Sequence, residues 1–320
     1  MSVASETTTA GRTCPLHYRY GPGALAVAAE ASCETLYVVG GLYGNEAALD
    51  TVVALFEREP GRTRLVFNGD FHWFDVDPRV FARIDDRIAA FTATRGNVET
   101  ELAGDDGSAG CGCGYPDSVD SETVERSNRI LERLRGACPS AARRERLGEL
   151  PMWRRIDVGG QRVAIVHGDA ESLAGWGFAH ELMVEPTHRR VLAPFFDLAG
   201  VDIFASSHTC LPALARWDAS DGGDRGVVVN NGAAGMPNVR STRHGLVTRI
   251  STSPFTGPQR RHGTTIGGVH VDALAIDYDH DRFAARFLAD WPVGSDAHAS
   301  YWRRIVDGPA MAAGDALIST

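Results

Sequence analysis

The chain has 320 residues, 43% hydrophobic and 23% charged, with a formal net charge of -9. That length and apolar fraction suit one large α/β domain or two medium ones with a sizeable core. The acidic balance and the lack of a basic run exclude nucleic-acid binding through counterion release, so no nucleic-acid partner is expected. All 32 basic residues are arginine, which rules out a Schiff-base lysine and the phosphate-cradling lysine of a P-loop. Any phosphate recognition must therefore rest on Arg, backbone N–H groups, His or a metal.

The first twenty residues carry no apolar h-region, and no run approaches the ~20 apolar residues that span a bilayer. The six cysteines, Cys14, Cys33, Cys111, Cys113, Cys138 and Cys210, are too sparse for a secreted disulfide framework. A cytoplasmic protein with no membrane partner is expected, with thiols free to act as ligands.

Residues 1–12 read as a frayed, Ser/Thr/Ala-rich end. The apolar run Leu36–Val39 has the β-branched and aromatic content of a buried strand and ends in Gly40-Gly41-Leu42-Tyr43-Gly44-Asn45. A helical pattern starts at Glu46. A second strand, 64–67, ends in Asn68-Gly69-Asp70, and a helix over 78–91 leads to Arg95-Gly96-Asn97. The Gly-rich stretch 100–115, containing Cys111 and Cys113, reads as a loop. A helix over 121–134 and a charged turn at 143–146 follow. Strands at 162–166, 201–205 and 226–230 end in His167-Gly168, Ser207-His208-Thr209-Cys210 and Asn231-Gly232. Two more strand-like runs lie at 245–250 and 269–278. The expected organisation is an extension over 1–34 and one domain over 35–320, with a Gly/Cys loop and helical insertion at about 100–150.

Ligands in open α/β sheets bind outside the carboxyl ends of strands, and here those ends carry Asp70, Asn97, His167 and His208. A carboxylate, an amide oxygen and two imidazoles suit Mn, Fe, Zn or Ni better than Mg or Ca. The ordered blocks Gly41-Leu42-Tyr43-Gly44-Asn45, Gly69-Asp70, Gly96-Asn97-Val98-Glu99, His167-Gly168 and Ser207-His208-Thr209-Cys210 resemble those of the calcineurin-like metallophosphoesterases. That family carries D-x-H-G-N, G-D, G-N-H, H-G and G-H-T-H in the same order. The resemblance spans roughly residues 35–280. It implies two mixed β-sheets sandwiched between helices in four layers (αββα), a divalent metal centre and a small phosphorylated substrate.

The same resemblance locates departures. Of the family's first-metal ligands, Asp70 is kept, while the others read Gly41, Tyr43 and Cys210. The second-metal set reads Asp70, Asn97, His167 and His208, all intact, and Asn97 would also face substrate. The leaving-group acid reads Val98. One metal site is therefore expected, with the second open. Cys210, Cys111 and Cys113, with the Tyr43 phenol, could form a soft replacement site, a redox pair, or nothing. His72, two residues after Asp70, is a candidate acid if the chain stays extended. Arg95 is either a phosphate contact or a solvated side chain. Trp73 and Phe74 read as core or pocket wall.

Without an acid, a substrate with a good leaving group is expected, an aryl ester or a pyrophosphate-type bond, because an unprotonated alkoxide costs ~10²–10⁴ in rate. Two alternatives accompany this phosphoesterase reading: a non-catalytic binding protein on the same fold, and a thiolate-modified metal enzyme with redox chemistry. A dinucleotide-binding reading of 36–57 is set aside, because its glycines are not spaced G-x-G-x-x-G.

Overall fold

The computed structural model of the chain describes residues 9–12, 14–104, 107–218 and 224–318. Most of the predicted frayed end, residues 1–8, and residues 105–106 of the predicted loop lie outside that set. Strand β1 (Ala31–Cys33) leads into β2 (Thr35–Val39), all five of whose residues are buried. Helix α1 (Glu46–Glu57) is capped by Asn45, whose side chain accepts from the Ala48 N–H at 3.0 Å. Strand β3 (Thr63–Asn68), helix α2 (Pro78–Ile88) and strand β4 (Thr92–Thr94) follow. Strands β2, β3 and β4 run parallel, so α1 and α2 are their crossovers.

Helices α3 (Asn97–Ala103), α4 (Ser121–Ala137) and α5 (Ala141–Glu149) come next, and β5 (Trp153–Val158) with β6 (Gln161–Val166) makes an antiparallel hairpin. Next come α6 (His180–Met183), α7 (Pro186–Ala199), β7 (Ile203–Ser206), β8 (Pro212–Asp218), β9 (Asp224–Asn231) and β10 (Gly245–Ser251). The described chain closes with β11 (Arg260–Ile266), β12 (Val269–Ile276), α8 (His280–Asp290), α9 (Asp296–Asp307) and β13 (Leu317–Ile318).

The strands form a six-stranded sheet, β11-β12-β10-β2-β3-β4, and a seven-stranded sheet, β1-β5-β6-β7-β9-β8-β13. Alternation along each strand explains how they stack. Leu36 and Val38 of β2 face Val163 and Ile165 of β6 in a core between the sheets. Their neighbours Tyr37 and Val39 turn instead toward α1, α2, α8 and α9, while Ala164 and Val166 turn toward α6 and α7. Helices thus cover both outer faces, giving the four-layer αββα arrangement, and burial on two faces is why these strands read as continuous apolar runs. No helix among the described residues is long and apolar enough to cross a membrane.

The charged turn expected at 143–146 is instead inside α5. Ser140 caps that helix by accepting from the Arg143 N–H at 3.3 Å, and Arg143 pairs with the buried Asp85 of α2 at 2.5 Å. Arg143 and Arg146 thus serve a buried partner. The predicted loop also starts later than 100, because α3 runs to Ala103. Of the extension expected over 1–34, residues 14–34 lie against the rest of the described chain: β1 pairs parallel with β5, and the fully buried Tyr18 hydroxyl donates to Glu101 of α3.

Candidate metal centre

The parallel strands β3, β4, β6 and β7 end on one edge, where Asp70, Asn97, His167 and His208 meet. The turn after β3 has Gly69 at φ 71° and Asp70 at φ 51°. A Cβ on Gly69 would lie 2.5 Å from the Gly96 nitrogen, so glycine lets this turn touch the next one. Asp is among the few residues that tolerate the left-handed region that follows. Glu99, three residues into the next turn, ties the two loops together. It accepts from the Asp70 and Gly96 N–H groups at 2.7 and 2.8 Å and from the Phe71 N–H at 3.1 Å. Burial, and then the charge of Asp70, push the Glu99 pKa up to about 7.

Three carbonyl oxygens set the direction of the donors. A carbonyl only accepts, so His167 Nδ1–H donates to Asn68 O at 2.9 Å and leaves Nε2 facing inward. His208 Nε2–H donates to Cys113 O at 2.9 Å, turning Nδ1 inward. Asn97 Nδ2–H donates to Cys111 O at 2.8 Å, turning Oδ1 inward. His167 Nε2 then lies 3.2 Å from Asn97 Oδ1, 3.2 Å from His208 Nδ1 and 3.3 Å from Asp70 Oδ2.

Four electron-rich atoms in near contact repel unless a positive charge sits among them, and this is the test a cation site must pass. The titration behaviour agrees. Burial opposes a proton on His167, but the charge and hydrogen bond of Asp70 prevail and raise its pKa. Burial and the adjacent His167 hold His208 down to about 4. Without an ion, one proton on His167 carries the positive charge the cluster attracts. Among the described residues, Asp70, His167 and His208 form the one group of three His, Cys, Asp or Glu donors whose ligating atoms all lie within 4.8 Å.

The other half of the expected centre is closed by a neutral pair. The Cys210 thiol donates to His208 O at 3.2 Å, which leaves its sulfur to accept from the Tyr43 hydroxyl at 2.6 Å. Burial raises the pKa of both groups, and the Tyr43 ring covers Gly41, where a Cβ would meet Cε2 at 2.9 Å. Cys111 and Cys113 do not join Cys210 in a thiolate site. Cys111 is fully buried, the Cys113 thiol donates to Cys111 O at 3.6 Å, and both residues serve the centre through their carbonyls.

His72 does not face this centre. The turn at Asp70 breaks the alternation that would have aligned residues 70 and 72. The ring is fully buried instead, with Nδ1 2.5 Å from Asp75 and Nε2 3.7 Å from Asp85, stacked on Phe81 at 3.7 Å. Burial opposes its charge, but Asp75 and Asp85 outweigh that and the pKa stands at about 9. A raised histidine stabilises fully below its unfolded value of about 6.5 and loses that contribution as pH rises through the folded value. Unfolding free energy should therefore fall by about 3 kcal/mol as pH passes from 6.5 to above 9. Urea titrations across that range check this, and His72→Gln should lessen the decline by about that amount.

Arg95 also points elsewhere, its guanidinium donating to Gly148 O at 2.5 Å. Of the aromatic pair, Trp73 lines the cavity over the centre, while Phe74 packs among Tyr43, Phe287 and Tyr301. That cavity encloses about 160 Å³, with Val98, Cys113 and Cys210 also in its wall. Tyr115, Trp176 and Tyr301 complete it, and none of the three carried a signal in the sequence. Glu99 did: a Glu three residues after a turn glycine at a helix start is the second half of a capping box.

Solved structures share this architecture. A metallophosphoesterase from Sphaerobacter thermophilus is 15% identical with a TM-score of 0.55, the match covering 87% of this chain and 100% of that one. A hypothetical protein from Pyrococcus horikoshii is 15% identical with a TM-score of 0.59, covering 87% and 99%. The chain has the calcineurin-like metallophosphoesterase fold. No protein-family model and no curated protein matches its sequence.

Proposed function

We propose that the chain is a phosphoesterase working with one divalent transition ion on phosphate esters or pyrophosphate-type bonds with good leaving groups. The observation that carries this reading is the convergence of Asp70 Oδ2, Asn97 Oδ1, His167 Nε2 and His208 Nδ1, each imidazole proton held outward by a carbonyl. Those four residues would hold the ion. When bound, it supplies a Lewis acid that polarises a phosphoryl oxygen and acidifies water.

The chain's own groups do the rest. Glu99 keeps the Asp70 and Gly96 turns in register, and the carbonyls of Asn68, Cys111 and Cys113 fix the donor orientations. Val98 faces the cavity and holds no proton to give, so the leaving group must depart as a stable anion. The redox alternative loses ground because burial keeps the Cys113 and Cys210 thiols protonated.

The non-catalytic alternative is favoured by Val98 and by the neutral Tyr43–Cys210 pair. The test is an assay of metal-loaded protein on 4-nitrophenyl esters and simple alkyl phosphates. Metal-dependent turnover of the 4-nitrophenyl esters, with alkyl esters at least about 100-fold slower, is expected. Equal turnover of alkyl monoesters would contradict the missing acid. No turnover of any class with the ion bound would leave the binding reading standing.

A further inference from the structure

We propose that Trp73, Tyr115, Trp176 and Tyr301 form a ring-binding subsite that makes the centre select monoanionic ligands carrying one planar aromatic group. This rests on the cation-centred reading above and names the substrate class for it. All four rings line the cavity that Asp70 and His208 also reach. Tyr115 and Trp176 lie 5.8 Å apart by ring centroids, and Trp73 and Tyr301 6.5 Å apart. The Trp176 ring stands edge-on to His208 at 5.6 Å, so the aromatic wall begins at the ligand cluster.

The polar handles of two of these rings are already taken. Trp176 Nε1–H donates to Cys113 O at 2.9 Å, and the Tyr115 hydroxyl pairs with Ser127 at 3.0 Å. They offer the cavity apolar faces and edges, while Tyr115, Trp176 and Tyr301 stay partly exposed. Apolar rings left open around a cavity are unfavourable unless a ligand covers them. The volume of about 160 Å³ is close to that of an apolar cavity known to admit one benzene, about 150 Å³.

Charge sets the second half of the selection. Of the residues lining the cavity, Asp70 is the one carboxylate, and no arginine is among them. Arg304 lies behind Cys210 with its guanidinium spent on the carbonyls of Cys210 and Pro237, at 2.6 and 3.1 Å. A divalent ion against one carboxylate leaves a single positive charge, which balances a phosphodiester or aryl phosphonate monoester. A dianionic monoester would bring an uncompensated charge into an apolar, half-enclosed site.

The experiment reads binding rather than turnover. Tryptophan fluorescence of metal-loaded protein is titrated with methyl phenylphosphonate, methyl methylphosphonate and, where it is a dianion, phenylphosphonate; none has a readily cleaved aryl ester. The phenyl monoanion should bind about tenfold tighter than the methyl monoanion and tighter than the dianion. Tyr301→Ala and, independently, Tyr115→Ala should shrink the ring advantage, while Tyr301→Phe should keep it. Equal affinity of phenyl and methyl monoanions would overturn the ring subsite, and equal affinity of mono- and dianion would overturn the charge selection. Ring preference without turnover of any ester would leave this inference standing and sink only the catalytic reading.

Discussion

Replacing His208 by alanine should reduce bound transition metal from about one ion per chain to nearly none, while Cys210→Ser should leave it at one. His208 Nδ1 is one of the inward lone pairs, and its Nε2–H anchors the ring to Cys113 O at 2.9 Å. Losing a group that merely orients a metal ligand costs 10–100-fold in affinity, so losing the ligand itself should cost more than about 100-fold. His167→Ala should behave alike and also free the Asn68 carbonyl. Serine at 210 is different, because a hydroxyl can reproduce the thiol's donation to His208 O and its acceptance from Tyr43. Elemental analysis of protein purified without added metal reads both results. A Cys210→Ser protein that loses or changes its ion would make the sulfur a ligand and end the description of Tyr43 and Cys210 as a neutral plug.

Three donors of this centre were legible because each follows an apolar strand within two residues. A buried parallel strand shows as a short apolar run, and the polar residue after it has nowhere to go but the sheet's carboxyl edge. Strands β2, β3, β6 and β7 could be read this way, and with them Asp70, His167 and His208. What depended on conformation at a turn could not be read. His72 is two residues from Asp70, yet the positive φ at Gly69 and Asp70 sends it into the Asp75–Asp85 pocket. Cys111 and Cys113 were read for their sulfurs, whereas the centre uses their main-chain oxygens, which every residue type has and no sequence reveals. Arg143 and Arg146 were read as part of a charged turn because their partner, Asp85, lies in another helix. The aromatic wall draws on four distant segments, around Trp73, Tyr115, Trp176 and Tyr301, and acquires meaning only when the fold closes them around one cavity.

Val98→His should raise turnover of alkyl phosphoesters by ~10²–10⁴ and leave kcat for 4-nitrophenyl esters nearly unchanged. Val98 sits at the start of α3, almost fully buried, with its side chain in the cavity wall and its N–H donating to Asp70 Oδ1 at 3.2 Å. The backbone contact is independent of the side chain, so the Asp70 turn should survive the change. An imidazole from this position would enter a cavity of about 160 Å³ beside the ligand cluster, where it could give a proton to a departing oxygen. Alkoxides need that proton and nitrophenolate does not, so the gain should depend steeply on leaving-group basicity. The imidazole also takes space from the aromatic wall, so KM for aryl substrates should rise. Comparing ethyl and 4-nitrophenyl esters in metal-loaded wild type and variant separates the two effects. A folded, metal-loaded Val98→His protein with no gain on the alkyl ester would show that the leaving group does not depart toward α3, and the missing acid would no longer explain a preference for good leaving groups.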